Sequence, residues 1–389
     1  MDGGRFFGAF RACYGIKDAV VLTHVPVGCN WGAMMFKSTS NYSDIRNACT
    51  VMHEREVVFG GEKALHETLV RADRLYKTPL FVVITGDVPA IIGDDIESVI
   101  DSVALNKEVV WVDAAGFKGT MRDGYSDSLI QLSRLMNRCS VIKNSVNLIG
   151  FCPDDFKVNS DVKELERLLN GAGIRINCVI SKCSLEQFIN APAAELNVVL
   201  GQGTKLAEHM KSEFGIPYLE VDYPYGFEGT SYFINAICGH FGIGYDAEHE
   251  FDLDSLKKIY PYLRELHGTP ASVIGDIHAK PMANFLDCEL GFDIEVLASH
   301  EDDNYIFEQN VRDSVTTILF GSSFERKIAE KLRIALIRFS YPVFDQVSVY
   351  DNAPYAGFRG AICMTETIIN NVMNFEDKFD GLSIFGKGY

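Results

Sequence analysis

Short runs of β-branched and aliphatic residues recur along the chain, and amphipathic patterns separate many of them. Ten runs are predicted to be strands: AVVLTHV (19–25), LFVVIT (80–85), EVVWVD (108–113), VNLIGF (146–151), RINCVI (175–180), NVVLG (197–201), ASVIGD (271–276), DIEVLAS (293–299), VTTILFG (315–321) and ALIRFS (335–340). Their nearly continuous hydrophobicity is typical of strands buried on both faces of a parallel sheet. Parallel strands need crossover connections, usually helices, so the pattern predicts an α/β fold.

The segments between these runs predict the helices and the domain organisation. The helical segments are GGEKALHETLVRADRL (60–75), DDIESVIDSVAL (94–105), DVKELERLLNGAG (161–173), TKLAEHMKSEFG (204–215) and SFERKIAEKLR (323–333). Asp94 and Asp95 are both expected to cap the helix that follows them. The pattern restarts near Val146 and near Ser272, and 389 residues are too many for one core. We therefore predict three Rossmann-like domains with mostly parallel, doubly wound sheets, in the ranges 1–140, 141–265 and 266–389, the last closed by a helix over 360–374.

Composition argues against several classes of protein. The chain is 47% hydrophobic and 23% charged, which is ordinary for a globular protein. No run approaches the ~18 uninterrupted apolar residues of a membrane span, and the start, MDGGRFFGAF, lacks the pattern of a secretory signal. A cytoplasmic location is therefore predicted. The net charge of −17 disfavours nucleic acid or an anionic membrane as a partner.

The cysteines point away from a disulfide framework. Ten cysteines occur without a secretory signal, so most are expected to be reduced and to pack as small hydrophobic residues. No CxxC motif is present, which argues against a zinc ribbon or a ferredoxin-type site. Any metal ligands would have to come from scattered positions or from another chain.

Motifs for nucleotide binding and for hydrolysis are absent. GQGTKL (201–206) has two of the three glycines of a dinucleotide fingerprint, and Leu206 stands where the third should be. The chain has no GxxxxGK[ST], GxSxG or HExxH motif. We therefore predict that this chain binds no ATP or NAD itself and carries no catalytic residue of its own.

Two strand ends carry groups that suit a metal. Cys29 follows the strand 19–25 in a predicted loop, and Asp87 follows the strand 80–85. Ligands of open α/β sheets collect at the carboxyl ends of the strands, so both groups could face one ligand. A thiolate in such a place suits soft metals and iron–sulfur clusters.

Eight phrases occur in one order along nearly the whole chain: GIKDAVVLTHVPVGC, EREVVFGGEKALHETL, VVITGDVPAIIGDDIESVI, GFKGT, FGIPYLEVDYPYG, ILFGSSFERKIAEKL, RFSYPVFD and PYAGFRGAICMTETIINNV. In this order they resemble the component 1 family of nitrogenase and nitrogenase-like reductases, and the ending resembles the β-type (K/N-like) subunits more than the α-type. The resemblance implies three Rossmann-like domains and pairing with another subunit, here an α-like component 1 chain in a heterodimer or heterotetramer. It also implies electrons from an ATP-hydrolysing iron protein.

The resemblance further implies metal ligands. In the family, three cysteines of each subunit hold an iron–sulfur cluster at the subunit interface. The central one matches Cys29, the first falls near Gly3 and Gly4, where no cysteine stands, and the third is replaced by Asp87. Cys13 lies about two and a half helical turns beyond the missing first ligand. It either substitutes for that ligand or is an ordinary buried thiol.

Other family positions indicate what this chain does not hold. Cys49 stands where β-type sequences carry a cysteine outside the cluster, so it is expected not to bind metal. The cofactor cysteine of the α-type subunits would fall near 199–201 and the cofactor histidine at Ala356, and neither residue is present. The resemblance thus implies that a larger iron–sulfur cofactor, where one exists, belongs to the partner.

We predict an oxidoreductase of nitrogenase-like type. The chain would be a β-like subunit that relays electrons through a shared 4Fe–4S or P-cluster-like cluster, with the methylthio-alkane reductases as one candidate group. The first alternative is a scaffold subunit that assembles nitrogenase metalloclusters. The second is a subunit of a tetrapyrrole reductase of protochlorophyllide or corphin type, and the third is a structural α/β subunit without metal.

Overall fold

The computed structural model describes residues 4–37, 46–246, 250 and 252–376. The chain forms two compact units, each built from separate chain segments. Of the described residues, those up to 154 and those of 176–220 form the first unit, and those of 155–175 and from 221 onward form the second. Three four-stranded sheets account for most of the strands. Strand pairs of defined register in these sheets are parallel, so the α/β prediction is confirmed.

The elements of the described residues alternate between strands and helices. The strands are β1 (Ile16–Lys17), β2 (Ala19–His24), β3 (Asn47–Cys49), β4 (Leu80–Thr85), β5 (Glu108–Asp113), β6 (Ile142–Ile149), β7 (Arg175–Val179), β8 (Cys183–Ser184), β9 (Ala194–Leu200), β10 (Tyr218–Val221), β11 (Pro270–Gly275), β12 (Asp293–Ser299), β13 (Ile318–Gly321) and β14 (Ala335–Arg338). The helices are α1 (Gly4–Tyr14), α2 (Val27–Lys37), α3 (Glu54–Phe59), α4 (Glu62–Leu75), α5 (Asp87–Ile92), α6 (Ile96–Val103), α7 (Met121–Ser133), α8 (Val158–Gly171), α9 (Leu185–Ile189), α10 (Thr204–Phe214), α11 (Gly226–Phe241), α12 (Leu253–Leu266), α13 (Ala279–Asn284), α14 (Asn304–Asp313), α15 (Arg326–Leu332) and α16 (Gly357–Glu376).

The first sheet has the strand order β3-β2-β4-β5. Every residue of β2 and β4 is buried, because helices cover both faces of the sheet. Alternate side chains divide between two clusters. Those on one face pack against α4 and α6, and those on the other face pack against α1 and α7. This arrangement leaves the carboxyl edge of the sheet as the place where loops and side chains meet.

Helices α1 and α7 approach each other closely at two glycines. A Cβ atom on Gly8 would lie 1.8 Å from the carbonyl oxygen of Met121, and one on Gly124 would lie 1.9 Å from that of Arg5. Both distances are far below a van der Waals contact, so only glycine permits this crossing. The two glycines therefore set how closely α1 packs against α7.

The remaining two sheets follow the same plan. The second sheet has the order β10-β9-β6-β7 and lies in the first unit apart from its end residues. The third sheet, in the second unit, has the order β12-β11-β13-β14. Its edge strand β12 alternates between more and less exposed residues, which fits a strand with one face open to solvent. The second unit also contains α8 and α11 to α16.

Some strands begin and end where the sequence predicts, and others do not. β4, β5 and β12 coincide with their predicted ranges, whereas β13 begins at Ile318 rather than three residues earlier. The short strands β1, β3, β8 and β10 were not predicted. The three-domain division stays a prediction, since the three sheets and the two compact units divide the chain differently. Among the described residues, no helix has the length and apolar character that crossing a membrane requires.

Candidate metal centre

The carboxyl edge of the first sheet brings together residues from four chain segments. Because the paired strands are parallel, the loops that follow β2, β3, β4 and β5 all emerge at this edge. Cys29 follows β2, Cys49 ends β3, Asp87 follows β4 and Gly116 follows β5. Cys29 and Asp87 therefore both follow strands that end at this edge, as the sequence predicts.

Cys29 lies on a helix rather than in the predicted loop. Helix α2 begins at Val27, directly after Pro26, and the amide of Cys29 donates to the carbonyl oxygen of Pro26 at 3.1 Å. The thiol therefore sits in the first turn of α2 and is exposed. The loop prediction was wrong because Gly28 and Gly32 made this stretch unlike a helix in sequence.

Asp87 is the first residue of α5, and its exposed carboxylate reaches the turn that follows β5. The amide of Gly116 donates to Oδ1 of Asp87 at 2.5 Å. Gly116 opens a single turn of 3₁₀ helix, Gly116–Lys118. The carboxylate is thus tied to a second loop at the same edge, a contact between residues that lie 29 positions apart.

The Cys29 thiol lies near the carboxylate of Asp87. Partial burial raises the pKa of this thiol, and the negative charge of Asp87 raises it further. These groups are therefore close enough to interact electrostatically. A positive metal ion would reverse the effect, since it favours thiolate over thiol and screens the carboxylate.

The position that corresponds to the first cluster cysteine of the family, near Gly3 and Gly4, is also close to this edge. Gly4 opens α1 with a φ of +68°, and a Cβ atom there would lie 3.5 Å from Cα of Gly116. Gly3 lies outside the described residues. Gly4 and Asp87 therefore both neighbour Gly116, and Asp87 neighbours Cys29. The three positions that the resemblance assigned separately lie in one region of the first unit.

Cys13 lies elsewhere. It is a fully buried residue near the end of α1, about 14 Å along the helix axis from Gly4 at 1.5 Å per residue. Burial raises the pKa of its thiol to about 12, and a hydrogen bond with Ser128 lowers it only in part. The structure does not bring Cys13 to the edge that holds Cys29 and Asp87. The hypothesis that it binds metal stays a prediction.

A buried histidine and aspartate support this edge from within. Nε2 of His24 is 2.9 Å from Oδ2 of Asp94, and Nδ1 is 3.1 Å from the hydroxyl of Thr50. Burial lowers the pKa of His24, although the hydrogen bond with Asp94 opposes this. The amide of Gly61 donates to Oδ1 of Asp94 at 2.9 Å. Asp95 alone accepts the capping bond of α6, so the expectation that both acids cap was wrong for Asp94.

Sequence reasoning missed Cys49 and Gly116 as neighbours of the site. Cys49 ends β3 at this edge, and its Sγ accepts from the amide of Val51 at 3.3 Å. The expectation that Cys49 does not bind metal stays a prediction. The phrase GFKGT is part of the family resemblance, but nothing in its residues indicates that Gly116 contacts Asp87.

The elements that follow β2, β3, β4 and β5 carry exposed apolar side chains. They come from α2, α3, α5 and the 3₁₀ turn, with Trp31 exposed to 64% and Phe59 to 82%. The others are Val27, Val58, Ile91 and Phe117. Exposed apolar groups gathered around a polar site are typical of a surface that a partner covers.

The first unit contains a second pair of potential metal ligands, and the aspartate of this pair already forms an ion pair. Sγ of Cys152 and a carboxylate oxygen of Asp154 lie within 4.8 Å of each other. Oδ1 of Asp154 accepts from Nε of Arg11 at 2.8 Å, and both side chains are buried. Removing a buried ion-pair partner is costly, so this aspartate is best explained as the counter-charge of Arg11.

Comparisons with known proteins identify a family, similar relatives and a similar fold. The family model described as nitrogenase component 1 type oxidoreductase matches residues 5–373. The nitrogenase iron-molybdenum cofactor biosynthesis protein NifE of Methanosarcina barkeri is 29% identical over 82% of this chain and 74% of that protein. A light-independent protochlorophyllide reductase subunit of Zygnema circumcarinatum is 25% identical over 99% of this chain and 85% of that protein. A solved structure titled nitrogenase Cp1 at pH 6.5 superposes with a TM-score of 0.83 at 18% identity, covering 98% of this chain and 96% of that one.

Proposed function

This chain belongs to the nitrogenase component 1 type oxidoreductase family, and we propose that it is the β-like subunit of a nitrogenase-like reductase. In this proposal it binds an iron–sulfur cluster at its interface with an α-like component 1 subunit. Cys29 and Asp87 are the metal ligands of this chain. The observation that carries the proposal is their placement at one exposed edge, where the charge of Asp87 acts on the Cys29 thiol.

The donors at this edge suit iron. Cys29 offers a thiolate, and Asp87 offers a carboxylate whose Oδ2 receives no hydrogen bond from the described residues. A bound cluster would supply one-electron transfer there. One thiolate and one carboxylate are too few for a cluster of four irons, so the remaining ligands would come from the partner. This chain holds its side of the cluster and excludes water from it.

The surface around the site supports a cluster that is shared between two subunits. Trp31, Phe59 and Phe117 present exposed aromatic rings on the elements that follow β2, β3 and β5. Interfaces are enriched in such side chains, and their burial by a partner would remove water from the cluster. We therefore propose that the α-like subunit covers this face in a heterodimer or heterotetramer.

The wider assignment follows from the family. In the proposed complex, an ATP-hydrolysing iron protein delivers electrons to the cluster, and the α-like partner holds the catalytic cofactor. The positions 199–201 and Ala356 of this chain carry neither the cofactor cysteine nor the cofactor histidine. Methylthio-alkane reduction is one candidate reaction, and the proposed location is the cytoplasm.

Two relatives favour other roles in the same family. The similarity to a cofactor biosynthesis protein favours a scaffold that assembles metalloclusters. The similarity to a protochlorophyllide reductase subunit, which extends over 99% of this chain, favours a tetrapyrrole reductase. Substrate screening of the purified complex separates the three roles. A reductase turns over thioethers or tetrapyrroles, and a scaffold transfers a metallocluster to an apo-nitrogenase without turnover.

The proposal is tested with the complex co-expressed and purified without oxygen. Cys29→Ala should lower iron and acid-labile sulfide in the complex strongly while the chain stays folded. Cys288→Ala is the matched control, because Cys288 is also exposed but lies in the second unit. Iron content, sulfide content and electron paramagnetic resonance spectra are compared for the three proteins. A full cluster in Cys29→Ala, or a wild-type chain that is active alone as a monomer, would show the proposal to be wrong.

A further inference from the structure

The turn that follows β5 contacts the proposed carboxylate ligand through its backbone. The amide of Gly116 donates to Oδ1 of Asp87 at 2.5 Å, and that carboxylate is exposed. Hydrogen bonds to a charged group are stronger than bonds between neutral groups. The contact holds one oxygen of Asp87 at the turn and fixes the orientation of the carboxylate.

The absence of a side chain at position 116 matters for this contact. A Cβ atom on Gly116 would lie 3.3 Å from Oδ1 and 3.4 Å from Oδ2 of Asp87. An alanine would therefore press on the carboxylate while leaving the amide in place. Glycine permits the amide and the carboxylate to approach without that crowding.

We propose that Gly116 is a positioning residue for the metal site: its amide holds Oδ1 of Asp87 and so orients the carboxylate that would meet the cluster. This inference rests on the proposed function, because it concerns how Asp87 meets the cluster. Partners that hydrogen-bond to a ligating carboxylate orient it and adjust its donor strength. Gly116 thereby influences the reduction potential of the cluster without touching it.

The chain offers a matched pair of variants. Gly116→Pro removes the N–H donor, and the backbone accepts proline here, since Gly116 opens a 3₁₀ turn and Ala115 has φ −57° and ψ 125°. Gly116→Ala keeps the donor and adds the Cβ atom that proline also adds. The difference between the two variants isolates the hydrogen bond from the crowding.

The first measurement needs no metal. Hydrogen exchange of the peptide 113–120 is followed by mass spectrometry in the apo chain, for the wild type and for Asp87→Ala. Loss of the acceptor should speed exchange of the Gly116 amide roughly tenfold or more. Unchanged exchange in Asp87→Ala would overturn the inference, because the amide would then not depend on Asp87.

The second measurement uses the loaded complex. Redox titration followed by electron paramagnetic resonance should give Gly116→Pro a midpoint potential different from that of Gly116→Ala, with iron retained in both. In the Asp87→Ala background this difference should vanish, because Gly116 acts through Asp87. A difference that persists there would overturn the inference.

The two measurements also distinguish failure of the inference from failure of the proposed function. A wild-type complex without iron or sulfide would refute the proposed function and, with it, the role of Gly116 in positioning a ligand. A loaded wild-type complex whose cluster is lost in Cys29→Ala, combined with unchanged exchange in Asp87→Ala, would refute only the inference.

Discussion

Replacing Asp161 by asparagine should remove a pH dependence from the stability of the second unit. Asp161 lies fully buried on α8, and its Oδ1 accepts from the amides of Tyr355 at 2.6 Å and Ala356 at 3.0 Å. Its Oδ2 accepts from the hydroxyl of Tyr223 at 2.7 Å. Burial raises the pKa of Asp161 from 3.8 to about 6, and these hydrogen bonds, with the nearby His278, offset only part of the cost of burial.

The sign and size of this pH dependence follow from the linkage between proton binding and folding stability. A carboxyl group with a raised pKa binds its proton more tightly in the folded state, so the free energy of unfolding rises as the pH falls through 6 toward 4. Two pKa units correspond to about 3 kcal/mol for complete titration, of which about 1 kcal/mol is gained between about pH 8 and pH 5. Asparagine keeps an oxygen for the two amides but cannot titrate, so this gain should be absent in Asp161→Asn.

Urea denaturation at the two pH values measures the effect as a difference between proteins. Asp254→Asn is the control, because Asp254 is exposed on α12 and its side chain is 86% accessible. The wild type and the control should share one pH dependence. The free energy of unfolding of Asp161→Asn should rise by about 1 kcal/mol less than theirs between about pH 8 and pH 5. Equal pH dependence in all three proteins would show that Asp161 does not titrate in this range.

Two further substitutions test the first unit. Gly8→Ala should lower the free energy of unfolding by about 1–3 kcal/mol or more, because its Cβ would lie 1.8 Å from the carbonyl oxygen of Met121. Gly239→Ala, whose Cβ would meet no atom within 4 Å, should be tolerated, and a Gly8→Ala protein as stable as this control would contradict the crossing of α1 and α7. Cys13→Ala should cost about 1 kcal/mol of stability as a core thiol and leave the iron content of the complex unchanged. Loss of iron in that variant would instead identify Cys13 as a ligand.

The fold was predictable where a single physical signal dominated. β4 and β5 follow continuous runs of β-branched and aliphatic residues, and their predicted bounds coincide with the structure. β3 is only three residues long, and its sequence, Asn-Ala-Cys, has no such run. Helix α2 was missed because two glycines interrupt it and no polar face marks it. Short or glycine-rich elements owe their conformation to neighbours that lie far away in sequence.

The candidate site was predictable in its position but not in its contacts. The strand-end rule and the family resemblance both pointed to Cys29 and Asp87, and the structure places them at one edge. No local pattern could indicate that Gly116 donates to Asp87, because that bond depends on where two loops end. Asp94 shows the same limit, since its neighbour Asp95 caps α6 while Asp94 turns inward to His24.

The discontinuous second unit has a consequence for how the chain is made. Helix α8 leaves the ribosome early, yet the amide of Ala356 that Asp161 binds lies 195 residues later. At about 5–20 residues per second, that stretch takes about 10 to 40 seconds to synthesise. During this time Asp161 lacks two of its three hydrogen-bond donors, so its carboxylate stays ionised and hydrated. A chain that stops before residue 355 never supplies those amides, and burying α8 would then leave the carboxylate without them. The second unit therefore reaches its full stability only when translation has passed these residues.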